Sequence, residues 1–333
     1  MDFAVSKFEF YDILQTEYGF DDIISVNTLP GGYIEEETWL VCLKLNRKYV
    51  VKIIDYRFNI DHLKTILNFQ NYLYSNLNYP CSLIVSTLSS KLVVQIDNDH
   101  YLFIQTFLDG HVPSLIELDE SYLMKMGTLL GQWRLASRTF MSTIPSTNIE
   151  KRELTDQWWI EQFDRLSLCK HLEEIDIDHL RLILFECRER LNGKIDQLEQ
   201  GLIHNDFQPS NTLCTNDDRQ VYVIDFGEAC YAPLIVDLAT ALFLLLTNGI
   251  DDDKRLNIFL VSYQNLIRLD RHEIELLDIV VRLKLTTNFI GDCANVKSKE
   301  EYDHSSWLQS CSKWIDILHQ EKRNLFQTML CNK

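Results

Sequence analysis

Four polar residues lie between short apolar runs past the middle of the chain. The stretch "GLIHNDFQPSNTL" (201–213) contains His204, Asp206 and Asn211, and "VYVIDFGEAC" (221–230) contains Asp225. Each residue taken alone is most often a turn, cap or core residue. Together they provide two carboxylates and an amide, which are groups that orient an attacking hydroxyl and bind Mg²⁺ beside phosphates. The spacing H-x-D-x-x-x-x-N before D-F-G therefore predicts phosphoryl transfer from a nucleotide.

A hairpin is predicted to bring these groups together. "TLCTNDDRQVYV" (212–223) reads as two strands with a polar turn at residues 215–218. Because antiparallel strands place the ends of their segments side by side, we expect Asn211 and Asp225 to meet at one cation. Asp206 would face the same point.

Two upstream features fit the same chemistry. "LPGGYIEEETW" contains Gly31 and Gly32 between the first two predicted strands, which fits a phosphate-covering loop, although a hairpin turn explains the glycine pair equally well. Lys52 lies in the apolar strand "VVKII". A lysine that points inward from such a strand needs an anionic partner, and a nucleotide phosphate is one; the alternative is an outward lysine at a sheet edge.

The surrounding elements predict an α+β fold with two lobes. Residues 1–108 contain six strand-like runs and one helix, "IDHLKTILNFQNYLYSNL". After the connector "TFLDGH" (106–111), residues 109–333 are mainly helical. We expect helices over 119–140, 155–169, 176–199, 234–248, 251–269, 271–291 and 306–329. The N-terminal lobe is thus a small antiparallel sheet, and the C-terminal lobe is larger.

The composition narrows the class of protein. The formal net charge is −17 over 333 residues, which argues against nucleic acid as a general partner and fits either solubility or a cationic ligand. The apolar runs are shorter than a membrane span. Nine scattered cysteines without C-x-x-C spacing predict free thiols in a reducing compartment. No leader-like segment is seen, so we expect a cytoplasmic protein without membrane contact.

These motifs resemble those of the aminoglycoside phosphotransferase/choline kinase family, which has a protein-kinase-like fold. The family pattern H-G-D-x-H-x-x-N corresponds to "HNDFQPSN", and I-D-[FW]-[DGE] corresponds to "IDFG". The stretch "IDFGEACYAPLIVDLATAL" is more specifically similar to the hydroxylysine kinase and homoserine kinase branches. The order of predicted strands and helices resembles that of the family over nearly the whole chain. The specific motifs cover about forty residues.

The resemblance implies a role for each matching residue. Asp206 would be the catalytic base, and Asn211 and Asp225 would hold Mg²⁺. His204 would brace the catalytic loop, while Asp237 would cap the following helix and pin the loop.

The resemblance also implies how ATP is held. Lys52 would contact the α- and β-phosphates, beneath a loop containing Gly31 and Gly32. Backbone groups near three neighbouring residues would read the base: Gln105, Thr106 and Phe107.

Three departures from the family pattern are visible. Asn205 stands where the family usually has Gly, and Gln208 stands where it often has His. Both lie near the acceptor, so they bear on specificity. A simple alignment places Gln70 where a helix Glu should pair with Lys52, and Asp61 is the only acid in that helix. A neutral partner would leave Lys52 less firmly placed.

The acceptor is predicted to be a small molecule. Asp237 follows Gly227 by only ten positions, which leaves little room for a peptide platform. Glu228 is placed to meet an ammonium group, with Gln208 and Trp158 beside the acceptor. We expect only one of the adjacent indoles Trp158 and Trp159 to pack in the core. Four further acids either line the entrance to the acceptor pocket or form a solvated face: Asp292, Glu300, Glu301 and Asp303.

The prediction is an ATP- and Mg²⁺-dependent kinase. Its acceptor would be a hydroxyl of an amine-bearing metabolite, such as a hydroxy-amino acid or an amino alcohol. An antibiotic kinase of the aminoglycoside type and a catalytically silent nucleotide-binding module are the alternatives. A protein kinase fits least, because the long activation segment is missing.

Overall fold

The computed structural model describes residues 7–29, 36–55, 60–97, 100–143, 151, 153–215, 220–320 and 325–331. Contacts divide the chain into two compact units. The N-terminal unit contains the described residues of 7–111 together with 222–226. The C-terminal unit contains the described residues of 112–143, 151–221 and 227–331. The segment 222–226, which carries Asp225, therefore packs with the N-terminal unit although it comes late in the sequence.

An antiparallel sheet of six strands forms the body of the N-terminal unit. Its strands follow the order β1-β2-β3-β6-β4, and β5 also pairs with β6. The elements are α1 (Lys7–Thr16), β1 (Ile23–Thr28), β2 (Glu36–Leu43), β3 (Arg47–Asp55), α2 (Ile60–Leu77), β4 (Ile84–Val85), β5 (Val94–Gln95) and β6 (His100–Thr106). The predicted small antiparallel sheet is confirmed.

Each face of this sheet is covered by a different helix. Val51 and Ile53 of β3 pack in one cluster with Phe10 and Leu14 of α1. Ile54 packs in a second cluster with residues of α2, including Leu63 and Leu67. Because alternate residues of a strand point to opposite faces, Lys52 shares its face with Ile54. The α2 side of the sheet is therefore the side that carries Lys52.

Two local predictions for this unit need correction. We predicted one helix, but α1 is a second one; Phe10 and Leu14 are spaced four residues apart and both are buried, which is a helical pattern. The sequence between the runs "LVCLKL" and "KYVVKII" also predicts their connecting turn at Asn46-Arg47. The turn lies one residue earlier, because Leu45 and Asn46 have φ values of 62° and 57°. Leu45 is exposed there.

The C-terminal unit is mainly helical, as predicted. Its helices are α3 (Glu120–Met141), α4 (Asp156–Leu166), α5 (Glu174–Leu191), α6 (Ile235–Thr247), α7 (Asp253–Gln264), α8 (Arg271–Asn295), α9 (Lys299–His304), α10 (Ser306–Gln320) and α11 (Leu325–Cys331). Its short strands include β7 (Gln200–Ile203), β8 (Thr212–Cys214) and β10 (Cys230–Pro233), and β9 (Val221–Val223) leads toward the N-terminal unit. Within the helix predicted over 306–329, the structure describes α10 and α11, and residues 321–324 lie outside the described residues.

Strand β7 is attached firmly to helix α3. It pairs with β10 in antiparallel fashion, with Ile203 opposite Cys230. The backbone of Leu202 is bound on both sides by α3: its N–H donates to Ser137 Oγ at 2.7 Å, and its carbonyl accepts from Trp133 Nε1 at 2.9 Å. The segment after β7, which contains His204 and Asp206, therefore starts from a fixed point.

Helix α6 is an internal element. All of its residues from Ile235 to Thr247 are buried, so its apolar sequence reflects core packing. Within the part of the chain that the structure describes, every helix is too short or too polar to span a bilayer.

Glycine allows α3 to approach α7 closely. A Cβ atom built on Gly127 would lie 2.2 Å from the carbonyl oxygen of Phe259 and 3.1 Å from Ser262 Cβ. Because the obstacle is a backbone atom of another helix, a side chain at this position forces the helices apart. Helix α3 therefore packs closely on α7 and also binds β7, through Trp133 and Ser137.

We expect Gly127→Ala to destabilise the protein by about 2 kcal/mol. The clash with a backbone atom places the overpacking cost near the upper end of its usual range of about 1–3 kcal/mol, and the better helix propensity of Ala returns about 1 kcal/mol. Thermal denaturation measures this as a melting temperature lowered by several degrees. Gly291→Ala in α8 is the control, since its Cβ would meet only Arg165 Nη1 at 3.7 Å. Equal stability of the two variants would contradict the close approach.

Candidate active site

The loop after β7 is held by a buried carboxylate on α6. Asp237 Oδ2 accepts from the backbone N–H of His204 at 2.9 Å, and Oδ1 accepts from the N–H of Asn205 at 2.9 Å. Asp237 is 3% exposed, and this burial raises the pKa of its carboxyl, against the opposing effect of His204 and of the two backbone bonds. Asn205 has a φ of 64°, in the left-handed region that Asn tolerates better than most residues.

Part of the expectation for Asp237 is wrong. Leu234 is the residue at the N-cap of α6, and it makes no side-chain cap bond. Asp237 lies inside the first turn of α6, where both of its oxygens accept from the loop. It contacts the loop backbone rather than capping the helix.

Asp206 is partly buried, and both of its carboxylate oxygens accept amide bonds. Gln208 Nε2 donates to Oδ1 at 2.7 Å, and Asn211 Nδ2 donates to Oδ2 at 2.6 Å and to the Asp206 carbonyl at 3.0 Å. These amide hydrogen bonds fix the orientation of the carboxylate group. Each oxygen has a further lone pair, so the carboxylate can still accept a hydroxyl proton.

His204 is completely buried and packs among aromatic rings. Its ring centroid lies 5.1 Å from that of Trp133 and 5.7 Å from that of Phe207. The His204 side chain therefore fills space behind the loop. Its predicted supporting role is compatible with this position and stays a prediction.

Lys52 pairs with Asp225 inside the N-terminal unit. Lys52 Nζ donates to Asp225 Oδ1 at 2.9 Å, and the two side chains are 14% and 41% exposed. The segment carrying Asp225 is attached to this unit by the N–H of Val223, which donates to the carbonyl of Pro80 at 2.8 Å. Asp225 has a φ of 60°, a conformation that is uncommon outside glycine and that accumulates at functional sites.

The two residues of α2 considered as partners of Lys52 make other contacts. Gln70 is buried and donates to the carbonyl and to the hydroxyl of Ser82, at 2.9 and 2.8 Å. Asp61 forms an ion pair with Lys64 at 3.5 Å, near the exposed start of α2. Asp225 thus supplies an acidic partner that the alignment of the helix did not suggest.

The sequence matches the family described as "Phosphotransferase enzyme family", abbreviated APH, over residues 25–272. This range is well over half of the chain and includes Lys52, Asp206, Asn211 and Asp225. The chain belongs to this family. The predicted family and the predicted class of enzyme, a phosphotransferase, are therefore confirmed. No curated protein matches the sequence.

Solved structures of similar fold span nearly the whole phosphotransferase. An amicoumacin kinase bound to AMP-PNP and Ca²⁺ is 15% identical, with a TM-score of 0.71 and 94% of each chain covered. A microcompartment-associated aminopropanol kinase is 16% identical, with a TM-score of 0.70, covering 96% of this chain and 100% of that one. A choline kinase from Cryptosporidium parvum Iowa II is 13% identical, with a TM-score of 0.67, covering 97% and 99%. These likenesses confirm the kinase-like fold.

The predicted metal ligands of the phosphotransferase fit a magnesium ion chemically. Because the amide nitrogen of Asn211 is bound to Asp206, its amide oxygen is the atom it can offer to a cation. Asp225 adds a carboxylate. Mg²⁺ in such enzymes is usually held by one or two protein groups together with phosphates and water. Among the described residues there is no group of three or more His, Cys, Asp or Glu that could hold a metal by itself, and the assignment of Asn211 and Asp225 stays a prediction.

Two of the backbone N–H groups near the predicted base-binding residues already donate hydrogen bonds within the N-terminal unit. The N–H of Thr106 donates to the carbonyl of Leu83 at 2.9 Å, and the N–H of Phe107 donates to the carbonyl of Lys48 at 3.2 Å. The side chain of Gln105 accepts from Ser82 at 2.9 Å. Base recognition at these residues stays a prediction. Gly31 and Gly32 lie outside the described residues.

One expectation on the acceptor side is wrong. Trp158 and Trp159 are both buried, at 8% and 3% exposure, and their rings meet edge to face at 5.0 Å. We expected only one of them in the core. Glu228 is exposed in a turn directly after the D-F-G residues. The acceptor-binding roles of Trp158, Glu228 and Gln208 stay predictions.

Among the four further acids considered for the acceptor, Asp292 of α8 has a distinctive environment. The indole N–H of Trp307 donates to its Oδ2 at 2.7 Å. Burial raises the pKa of Asp292, the bond from Trp307 lowers it, and the negative charge of Asp206 raises it further, so that the net direction is upward. Asp206 and Asp292 are thus close enough to repel each other, and a cation between them would be attracted by both.

A buried ion pair beside the loop was not predicted from the sequence. Lys284 of α8 donates to Glu153, which precedes α4, at 3.0 Å, and their side chains are 6% and 8% exposed. The two residues are 131 positions apart. Neither lies in a motif, so only folding reveals that they meet.

Proposed function

We propose that this phosphotransferase is an ATP- and Mg²⁺-dependent kinase that phosphorylates a hydroxyl group of an amine-bearing small molecule. The observation that carries this is the Asp206 carboxylate, held by Gln208 and Asn211 in the loop that the family motif marks. The acceptor oxygen forms a bond to the γ-phosphorus, while the bond from that phosphorus to the β–γ bridging oxygen breaks and ADP leaves. Asp206 receives the hydroxyl proton.

Several observations support the nucleotide and the metal. Lys52 and Asp225 form one partly buried pair in the N-terminal unit. Kinases transfer phosphate with such a lysine on the phosphates and such an aspartate on Mg²⁺. Structures of similar fold contain AMP-PNP with Ca²⁺ in the amicoumacin kinase and ADP in a spectinomycin phosphotransferase. Mg²⁺ would neutralise charge on the phosphates when bound.

The amine on the acceptor is supported by Asp292. This half-buried carboxylate is oriented by Trp307 and lies within electrostatic range of Asp206. An ammonium group bound there would relieve the repulsion between the two acids. Two proteins of similar fold are named as kinases of aminopropanol and of choline, which are both amino alcohols. An amino alcohol or a hydroxy-amino acid fits these observations.

A substrate panel tests the proposal. ADP release is measured with Mg-ATP and amino alcohols, hydroxy-amino acids, aminoglycosides and amine-free sugars, and products are identified by mass spectrometry. Phosphorylation of an amino alcohol or hydroxy-amino acid supports the proposal. Turnover of aminoglycosides alone would show an antibiotic kinase instead. Mg²⁺-dependent ATP binding without turnover across the panel would show a silent binding module.

A cytoplasmic location is part of this proposal. The eight cysteines whose side chains the structure describes are free thiols, and seven of them are buried. Free cysteines persist in a reducing compartment, where ATP is also available.

Asp292→Asn is expected to raise the Michaelis constant for the cationic acceptor by roughly 10- to 150-fold. A charge-assisted bond contributes about 1.5–3 kcal/mol, and about 1.4 kcal/mol corresponds to a factor of ten. The Michaelis constant for ATP should not change. Because Asp292 attracts a cation only when ionised, acceptor binding should also weaken as the pH falls through its raised pKa. Steady-state kinetics over a pH series measures both effects.

Two other acids serve as comparisons. Asp303→Asn removes an exposed charge paired with Lys299 and should leave both constants unchanged. Glu228→Gln should change the acceptor constant less than about fivefold, since exposed ion pairs contribute about 0–1 kcal/mol. An unchanged acceptor constant in Asp292→Asn would remove Asp292 from the acceptor site.

A further inference from the structure

We propose that Glu153 and Lys284 are positioning residues for the catalytic loop and that they act through the side chain of Asn205. The proposal rests on the proposed function only in taking Asp206 as the base. Asn205 directly precedes Asp206, and it occupies the position of the glycine in the pattern H-G-D-x-H-x-x-N.

Both ends of the Asn205 amide are bound by this pair. Asn205 Nδ2 donates to Glu153 Oε1 at 3.1 Å, and Asn205 Oδ1 accepts from Lys284 Nζ at 3.0 Å. Lys284 also donates to the same oxygen of Glu153 at 3.0 Å. The three residues form a closed triangle of hydrogen bonds that joins the segment before α4, the catalytic loop and α8. We call it the Asn205 clamp.

The backbone conformation at position 205 does not by itself require asparagine, so the side chain of Asn205 has a separate role. With a φ of 64°, this position would accept glycine without strain. Leu154, next to Glu153, also has a positive φ of 62°, which is rare for a bulky residue and costs free energy. Two unfavourable backbone positions are therefore maintained on the two sides of the clamp.

The charges of the clamp argue against a purely stabilising role. Burying an ion pair gives little or no net stability unless all of its polar atoms are satisfied. Glu153 Oε2 is buried and receives no hydrogen bond from the described residues. Lys284 also acts electrostatically on Asp237, the carboxylate that binds the N–H groups of His204 and Asn205. The clamp and Asp237 thus hold the residue before Asp206 by its side chain and by its backbone.

Asn205→Gly is the decisive variant, because it keeps the backbone conformation and removes the clamp. We expect kcat to fall by roughly 10- to 100-fold, since a misplacement of about 1 Å at a reacting group costs about 10²-fold. The Michaelis constant for ATP should stay within about twofold. If glycine gives the kcat of the native enzyme, Asn205 serves only the positive φ and the proposal is overturned.

Two variants of the pair extend the test. Glu153→Gln keeps an oxygen that can accept from Asn205 and Lys284, so it should retain most of kcat, whereas Glu153→Ala should lose as much as Asn205→Gly. Arg282→Met is the matched control on α8: it removes a buried cation whose partner is Glu186, 3.9 Å away on α5. It should lower the melting temperature without lowering kcat at a temperature where the protein is folded. Equal kcat in Glu153→Ala and Arg282→Met would contradict the proposal.

Hydrogen exchange supplies a readout that needs no acceptor. The N–H groups of His204 and Asn205 should exchange at least tenfold faster in Asn205→Gly than in the native protein, while those of β10 keep their rates. If the substrate panel fails but this change is seen, the proposed function is wrong and the clamp still positions the loop. If exchange at both residues is unchanged, the clamp does not position the loop, whatever the substrate is.

Discussion

Asp206→Asn is expected to lower the turnover number by roughly 10²–10⁴-fold, the usual contribution of a positioned general base. Asparagine keeps the shape of the side chain but cannot accept the hydroxyl proton. It also offers one oxygen where Gln208 and Asn211 now bind two. ATP binding should be retained, because Lys52 and Asp225 are unaffected. Single-turnover kinetics and ATP titration by calorimetry measure the two quantities separately.

The control for this variant is Asp178→Asn, which removes an exposed aspartate paired with Arg181 in the same unit. It should have native turnover. A loss of less than tenfold in Asp206→Asn would mean that another group accepts the proton. A lowered melting temperature with lost ATP binding would instead indicate a damaged fold.

Asp225→Asn should abolish the tightening of ATP binding by Mg²⁺ and lower turnover by roughly 10²- to 10³-fold. A bound metal stabilises the charge of the transition state by several kcal/mol, and about 1.36 kcal/mol corresponds to a factor of ten. Asparagine is preferred to alanine here because it tolerates the positive φ at this position better. Calorimetry of ATP binding with and without Mg²⁺ is the measurement.

The same variant changes the environment of Lys52. The 2.9 Å ion pair with Asp225 becomes a bond to a neutral amide, so Lys52, at 14% exposure, loses this ionised partner. Asp61→Asn is the comparison, since it removes an aspartate of the same unit that pairs with Lys64 in a more exposed position. If Mg²⁺ tightens ATP binding equally in Asp225→Asn and in the native protein, the metal is bound elsewhere.

Local patterns predicted the elements around the site well. Helical spacing of apolar residues placed α2, α3 and α8 near their observed positions, because a helix that buries one face must repeat its apolar residues about every 3.6 positions. The motif spacing predicted the loop from His204 to Asn211, because the loop is short and its polar residues are close in sequence. The family match then confirmed the class of enzyme.

The errors arose where packing between distant segments decided the outcome. Trp158 and Trp159 were expected to divide between core and pocket, but both are buried. Asp237 was expected to cap α6, but its oxygens accept from the loop after β7. Sequence patterns report which residues prefer burial or a helix end, and they do not report which segment lies opposite.

The sequence by itself determined the class of enzyme, because the family match over residues 25–272 rests on it alone. The spacing of Asp206, Asn211 and Asp225 predicts oxygen groups for a hydroxyl and a cation, and local periodicity predicts the elements that carry them. Only the tertiary structure decided which residues form hydrogen bonds and ion pairs with the residues of these motifs. Lys52 meets Asp225 across 173 positions, and Lys284 reaches Asn205 across 79. Such pairs form because a buried charge must find a partner, and that partner can come from any segment that the packed core brings within about 3 Å.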